Sequence, residues 1–394
     1  MSSLLSTAGL ARASARHPWR TIGIWVAIFL LAGFSAAVGL NLTNTMNFTN
    51  NPESIKGSNL LKEHIPSLQS ATETVVIYSD TQTIDSPAFR AVVQKTSSDL
   101  AAMKGLIVSA PNYYQASAIG SPAAASMVSA DHKATIIPVT FSKKQDDVTK
   151  AQTTSYLDTV DGESSGAIKV ATVGNLSINQ TFNDISSKDL QKAEVVGVPA
   201  ALIILIVVFG ALVAAGVPLI LSVVAIVTAL GLTAILGQVM DLSTYVENMI
   251  TMIGLAVGID YALFIVSRYR EERQRGLPKL DAIAATGGTA SKAVLFSGCT
   301  VVLGLAGMLL LPTTIFQSMG AGAVLVVIAA VVAMLTLVPA LLSLIGDRVD
   351  WPRRRNYPNE LVPAALDHEE VRRGFWGRAA HVVMARPIVS IILA

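Results

Sequence analysis

Apolar residues run almost without interruption over residues 21–40, 195–214, 217–237, 245–267, 293–311 and 318–345. At 1.5 Å per residue each run can cross about 30 Å of hydrocarbon as a helix, the conformation in which a single segment satisfies its own backbone polar groups in lipid. The pattern predicts six membrane spans. Arg12, Arg16 and Arg20 precede the first run, as basic residues precede a signal peptide. A run of about 20 residues exceeds the roughly 7 to 15 of a cleaved signal, so 21–40 reads as a retained signal anchor.

The segment 41–194 is polar, and its periodicity predicts alternating strands and helices. Strands are expected at 74–79, 106–109, 134–141 and 168–173, and helices at 87–104 and 146–161. The order β-α-β-β-α-β is that of a split βαβ domain. The Ser-, Ala- and Gly-rich stretch 113–130 reads as an irregular insertion between the middle strands. Residues 346–386 form a polar linker with the triplet Arg353, Arg354, Arg355. An apolar run then begins at 387, where 378–394 echoes the start of the first span: Ala385-Arg386 precedes Pro387 as Ala15-Arg16 closely precedes Pro18. This is the expected start of a second repeat, and 387–394 reads as a seventh span cut short.

Composition and charge sharpen the picture. Of 394 residues 52% are hydrophobic and 14% charged, well below the roughly 25% charged residues of soluble domains. A net charge of +2 without a long basic tract sets nucleic acid aside as a partner. Cys299 is the single cysteine, so no intrachain disulfide forms. The basic residues orient the spans: Arg268, Arg270, Arg273, Arg275, Lys279 and Arg348 fall on the side of the N-terminus, while the turns 238–243 and 312–317 carry no Lys or Arg. By the positive-inside rule the N-terminus (1–20), the loop 268–292 and the linker are cytoplasmic, and 41–194 is extracytoplasmic. The expected location is the inner, cytoplasmic membrane.

The candidate chemistry sits in the fourth span. Asp260 lies eight residues before Arg268, about 12 Å inside the hydrocarbon edge. A carboxylate there costs about 2.5 to 3.5 kcal/mol on insertion scales, so it is kept for a function or neutralised by a proton. Asp260 is the proton-carrier candidate, with Tyr261 and Ser297 of the fifth span as relay partners. Asp260, Phe264, Ser267 and Glu271 recur at helical spacing and form a stripe leading inward. Glu247 and Asn248 stand at the outer mouth. Gly254 and Gly258 lie on another face as a small-xxx-small pair for close helix packing.

Blander roles compete at each position. Asp260 can serve as a packing group, Ser297 can bond its own helix, Glu271 can pair with nearby arginines, and Lys292 can snorkel to the interface. The chain has no Gly-x4-Gly-Lys-Ser/Thr loop, no metal-ligand spacing among its five histidines, and no nucleophile–base constellation. The sequence therefore names no cofactor, no metal and no enzymatic activity.

The stretch Gly258-Ile-Asp-Tyr-Ala-Leu-Phe-Ile-Val-Ser-Arg-Tyr-Arg-Glu-Glu272, with Phe296-Ser297, Leu335-Thr-Leu-Val-Pro-Ala-Leu-Leu342 and Ala193-Glu194, resembles the mycobacterial-membrane-protein-large (MMPL) branch of the resistance-nodulation-division (RND) transporters. The resemblance covers the whole chain. It implies an α-helical polytopic membrane protein, six spans plus the start of a seventh, with an extracytoplasmic α+β porter-like domain of split βαβ type. It also implies proton-driven export of lipids or other hydrophobic molecules, with Asp260 and Tyr261 as the coupling pair and protons and membrane lipids as partners. Family members carry about twelve spans in two halves, so a second half or a second copy is an expected partner. The competing readings are a non-transporting lipid- or partner-binding scaffold and an inactive truncated remnant.

Overall fold

A computed structural model describes residues 6–40, 42–43, 48–65, 70–352 and 383–385. The chain divides into two units, Met1–Asn47 with Val196–Ala394, and Phe48–Val195. It opens with helix α1, Thr7–Arg16, which Ser6 caps by accepting the Gly9 N–H at 3.1 Å. Helix α2, Pro18–Gly39, begins three residues earlier than the hydropathy suggests, because proline is suited to the first helical position. A two-residue strand, β1 (Leu42–Thr43), follows.

Within the second unit the order is α3 (Glu53–His64), β2 (Ser70–Ser79), α4 (Pro87–Ala102), β3 (Ile107–Ser109), α5 (Tyr113–Ala118), β4 (Ala134–Lys144), α6 (Lys150–Asp161) and β5 (Ile168–Gly174). The four main strands form an antiparallel sheet in the order β3-β4-β2-β5. Helix α4 leads from β2 to β3 across β4, and α6 leads from β4 to β5 across β2, which is the split βαβ topology. Alternate residues of β2 and β4 turn inward, and Val75, Ile77, Ile137, Val139 and Phe141 meet Phe89, Val93, Leu100, Tyr156 and Val160 in one core. Phe141 and Tyr156 meet edge to face at 5.2 Å.

Three departures from the sequence reading have local causes. The stretch 113–130 is not irregular: Asn112 and Gln115 form a reciprocal capping box that starts α5, and Pro122–Met127 makes a 3-10 turn. Helix α6 starts at Lys150 and not at 146, because Thr149 and Gln152 form a second such box. Helix α3 falls in a polar stretch where periodicity shows nothing.

Helix α7, Asn175–Phe209, is continuous for 35 residues. The boundary placed at 194/195 marks a change of hydropathy and not a break in the helix. The Glu73 carboxylate holds its start. That side chain is buried, accepts the Leu176 and Ser177 N–H groups at 2.8 and 3.3 Å, and takes the Thr172 hydroxyl at 3.2 Å. Glu73→Ala is expected to lower the stability of the full chain by about 1–3 kcal/mol, because the first-turn N–H groups lose their acceptor. Glu73→Gln, which keeps an acceptor, should cost less, and thermal melts of both variants check the order.

The further described elements of the first unit are α8 (Leu212–Leu236), the short strand β6 (Leu242–Ser243), α9 (Tyr245–Gln274), α10 (Lys279–Gly288), α11 (Ala290–Ala306) and α12 (Thr314–Ile345). Strand β6 pairs in parallel with β1. Among the described residues six segments are long and apolar enough to cross a membrane: Pro18–Gly39, Asn175–Phe209, Leu212–Leu236, Tyr245–Gln274, Lys279–Leu310 and Thr314–Asp350. Helix α12 is central, with Val326, Val327, Ala330, Ala333, Met334 and Val338 fully buried.

The loop assigned to 268–292 is largely helical. Helix α9 continues to Gln274, the chain turns at Gly276 with φ +87°, and α10 follows. The N-terminal helix docks on it, with Arg12 pairing to Asp281 at 2.9 Å, and Ser343 of α12 donates to the Ala15 carbonyl at 2.7 Å. Of the linker, Gly346–Asp350 is a 3-10 turn. The Arg353–Arg355 triplet and the start of the seventh span at 387–394 lie outside the described residues.

Candidate functional site

Helix α9 has two unlike faces. Val246, Ile250, Gly254, Gly258, Ala262, Ile265 and Tyr269 are buried and spaced by three or four residues. A Cβ on Gly258 would come within 2.9 Å of the Ser222 Cα on α8, and one on Gly254 within 2.8 Å of Val326 Cγ2 on α12. The two glycines therefore set how closely α9 approaches its neighbours. On the opposite face Met252, Ala256, Asp260, Phe264, Ser267 and Glu271 form an exposed stripe of the same period.

Asp260 stands midway along that stripe. Among the described residues its carboxylate has neither a hydrogen bond nor an ion pair. The sequence puts it deep within a membrane span, and the structure leaves it on the open side of the helix, not enclosed by the described residues. Tyr261 points the other way, half-buried against the cores around α8 and α12. Its hydroxyl lies 3.3 Å from Ser297 Oγ on α11, with either oxygen able to donate. Ser297 thus meets Tyr261, where the sequence suggested Asp260.

The other candidates fall at the two ends of α9 and, for Lys292, in the first turn of α11. Glu247 is exposed in the first turn, about 20 Å along the axis from Asp260, so the structure does not bring the two together. Lys292 is exposed and makes no ion pair among the described residues. Glu271 pairs with Arg268 at 2.7 Å. Ser267 and Glu271 also line a cavity of about 410 Å³, together with Arg270, Gln274, Phe209 and Asp350.

That cavity holds a pair the sequence did not disclose. Arg270 donates to the Phe209 carbonyl at 3.0 Å, lies over the Phe209 ring at 5.5 Å, and meets the Asp350 carboxylate at 2.5 Å. Asp350 is 1% exposed. One turn on, Arg273 grips Asp347 through both carboxylate oxygens at 2.7 and 2.9 Å. These arginines, read from sequence only as markers of orientation, tie α9 to the end of α7 and to the turn after α12. Partners 61 to 80 residues apart leave no periodic signal.

The arrangement is that of a multi-pass membrane protein built on the RND plan. Residues 48–390 match the profile of the MMPL family, and the chain belongs to that family. Over 393 residues it is 32% identical to the membrane protein SCO6666 of Streptomyces coelicolor, an alignment covering 99% of this chain and 53% of that protein. It is 37% identical over 234 residues to the mycolic acid-containing lipids exporter MmpL11 of Mycolicibacterium smegmatis, covering 59% of this chain and 24% of the relative. With the trehalose monomycolate exporter MmpL3 of Mycobacterium tuberculosis it shares 26% identity over 396 residues, covering 95% and 41%. The chain spans about half, or less, of the length of these curated relatives.

Proposed function

We propose that this chain is one half of a secondary active transporter that exports lipids or other hydrophobic molecules across the cytoplasmic membrane, driven by the proton-motive force. Its N-terminus is cytoplasmic, and Phe48–Val195 is an extracytoplasmic, porter-like domain. Asp260 is the observation that carries the reading. Apart from Glu247 in the first turn of α9, it is the one carboxyl in the six apolar runs, and an ionisable group at that depth is a functional candidate by default. It stands on an open helix face next to the Tyr261–Ser297 pair, with Ser267 and Glu271 leading to a polar cavity at the arginine-rich end.

In this mechanism Asp260 takes a proton from the outer side, loses its charge, and changes how α9 packs against a partner covering the stripe. Release toward Ser267 and Glu271 restores the charge. Tyr261 and Ser297, bonded to each other on the inner side of α9, are the nearest polar pair in sequence and extend the relay. The relatives named as lipid exporters support a lipid or another hydrophobic molecule as cargo.

The test is translocation of a labelled lipid in vesicles holding the chain, alone and with a second transporter half. Export should collapse on adding a protonophore. Reporter fusions after Gly276 should read inside, and one near Ser121 should read outside. Export indifferent to the gradient, or an inside signal at Ser121, would overturn the proposal.

A further inference from the structure

Helix α4 and the segment 109–115 enclose a cleft of about 490 Å³, whose lining includes Gln94, Ser97, Ser109, Asn112 and Gln115. Among the described residues no charged side chain lines it. It is closed on one side where the Ser97 hydroxyl donates to the Ala110 carbonyl at 2.7 Å. The charges of α4 are engaged elsewhere: Lys95 pairs with Asp99 at 3.0 Å and with Glu163, and the Arg90 guanidinium lies 4.6 Å over the Tyr114 ring.

Asn112 supplies the group that needs explaining. It is 2% exposed, and its Oδ1 accepts the Gln115 N–H at 3.0 Å. That bond fixes which end of the amide is oxygen. The other end, Nδ2, has no hydrogen-bond partner among the described residues. A buried donor without an acceptor is costly, and the cleft that Asn112 lines is where an acceptor can reach it. Around the same cleft Gln115 uses Oε1 to accept the Asn112 N–H at 3.2 Å and keeps Nε2 uncommitted. The Gln94 carboxamide and the Ser109 hydroxyl make no hydrogen bond among the described residues. The site rests on these side chains and not on the end of α5.

Three side-chain amides with free N–H groups, one of them buried, and no charge call for a neutral ligand rich in carbonyl oxygens. A carboxylate or phosphate would find no cation in the lining. A sugar ring would find no open aromatic face, since Tyr113 and Tyr114 pack against the core and Arg90 lies over the Tyr114 ring. A peptide backbone fits, because the amide of Asn or Gln carries the same donor and acceptor groups as a peptide unit. Ser109 also ends β3, the edge strand of the sheet, and sheet edges are where extended peptides add. We propose that this cleft docks an extended, uncharged segment of a partner polypeptide, with one carbonyl on Asn112 Nδ2 and the neighbouring backbone groups on Gln94 and Gln115. No residue of a membrane span takes part, so the site stands or falls independently of Asp260.

The test uses the full chain in neutral detergent, with Cys299→Ser and Ser98→Cys so that one thiol reports on the cleft. A blocked pentapeptide of alanine and serine should slow alkylation of that thiol saturably, by about threefold at twice its Kd. Asn112→Ser keeps a side-chain cap for α5 and removes the amide donor. It should leave the melting temperature close to that of the parent and weaken protection about tenfold. Gln94→Ala, at an exposed position, should weaken protection in the same direction, and it decides the matter if the serine variant melts early. A blocked pentapeptide of glutamate and the disaccharide maltose should protect little. Protection that survives Gln94→Ala and a folded Asn112→Ser, equal protection by the glutamate peptide or by maltose, or no protection by the neutral peptide up to its solubility would each overturn the site.

Discussion

Asp260→Asn is expected to abolish gradient-dependent export while leaving insertion, expression and melting temperature close to those of the unsubstituted protein. The amide keeps the shape of the carboxyl and removes its titration, and the side chain makes no polar contact with another described residue, so little structure is at stake. A neutral amide is also cheaper in lipid than a carboxylate, which makes a small rise in melting temperature the expected direction. Tyr261→Phe removes one hydroxyl and its contact with Ser297 but leaves the proton carrier. It should slow export by less. The scaffold reading makes the opposite forecast: with no proton to carry, Asp260→Asn should leave function intact. Full export by that variant would end the proposed mechanism.

The largest expected loss of stability comes from Arg270→Gln. The substitution removes the guanidinium beside a carboxylate that is 1% exposed, and it also breaks the bond to the Phe209 carbonyl. Removing one member of a buried ion pair typically costs about 3–5 kcal/mol, because the remaining charge stays desolvated. Neutralising both members removes that penalty, so Arg270→Gln with Asp350→Asn should recover more than half of the lost stability. Melting the two single variants and the double variant completes the cycle. Additive effects would show that the pair contributes no coupling.

The membrane character of the fold was legible because a bilayer-spanning helix needs hydrophobicity sustained over about 20 residues, a run that a water-soluble domain would have to bury on every side. Helix ends were less legible, since the reading followed hydropathy. The polar residues 175–194 and the apolar residues after them belong to one helix, α7, and the change of solvent between them leaves no mark on the backbone. Short polar helices such as α3 and α5 depend on capping groups and not on periodicity. At the candidate site, spacing alone grouped Asp260, Phe264, Ser267 and Glu271 on one face of α9. Which way that face turns depends on the glycines that bring α8 and α12 to its other side, a tertiary fact. The meeting of Tyr261 with Ser297, and of Arg270 with Asp350, likewise follows from packing between segments distant in sequence.

The carboxyl midway along the open stripe sets an energetic ceiling on the proposed mechanism. With Asp260 as the single proton carrier of the proposed mechanism, each cycle draws one proton through it. Moving one charge across 100 mV yields about 2.3 kcal/mol, and a tenfold concentration ratio requires about 1.4 kcal/mol. One proton per molecule exported then sustains at most about a fifty-fold accumulation for each 100 mV of driving force. A cargo that must be concentrated further requires more than one proton per molecule, and so a second proton-carrying group beside the one on the open face of α9.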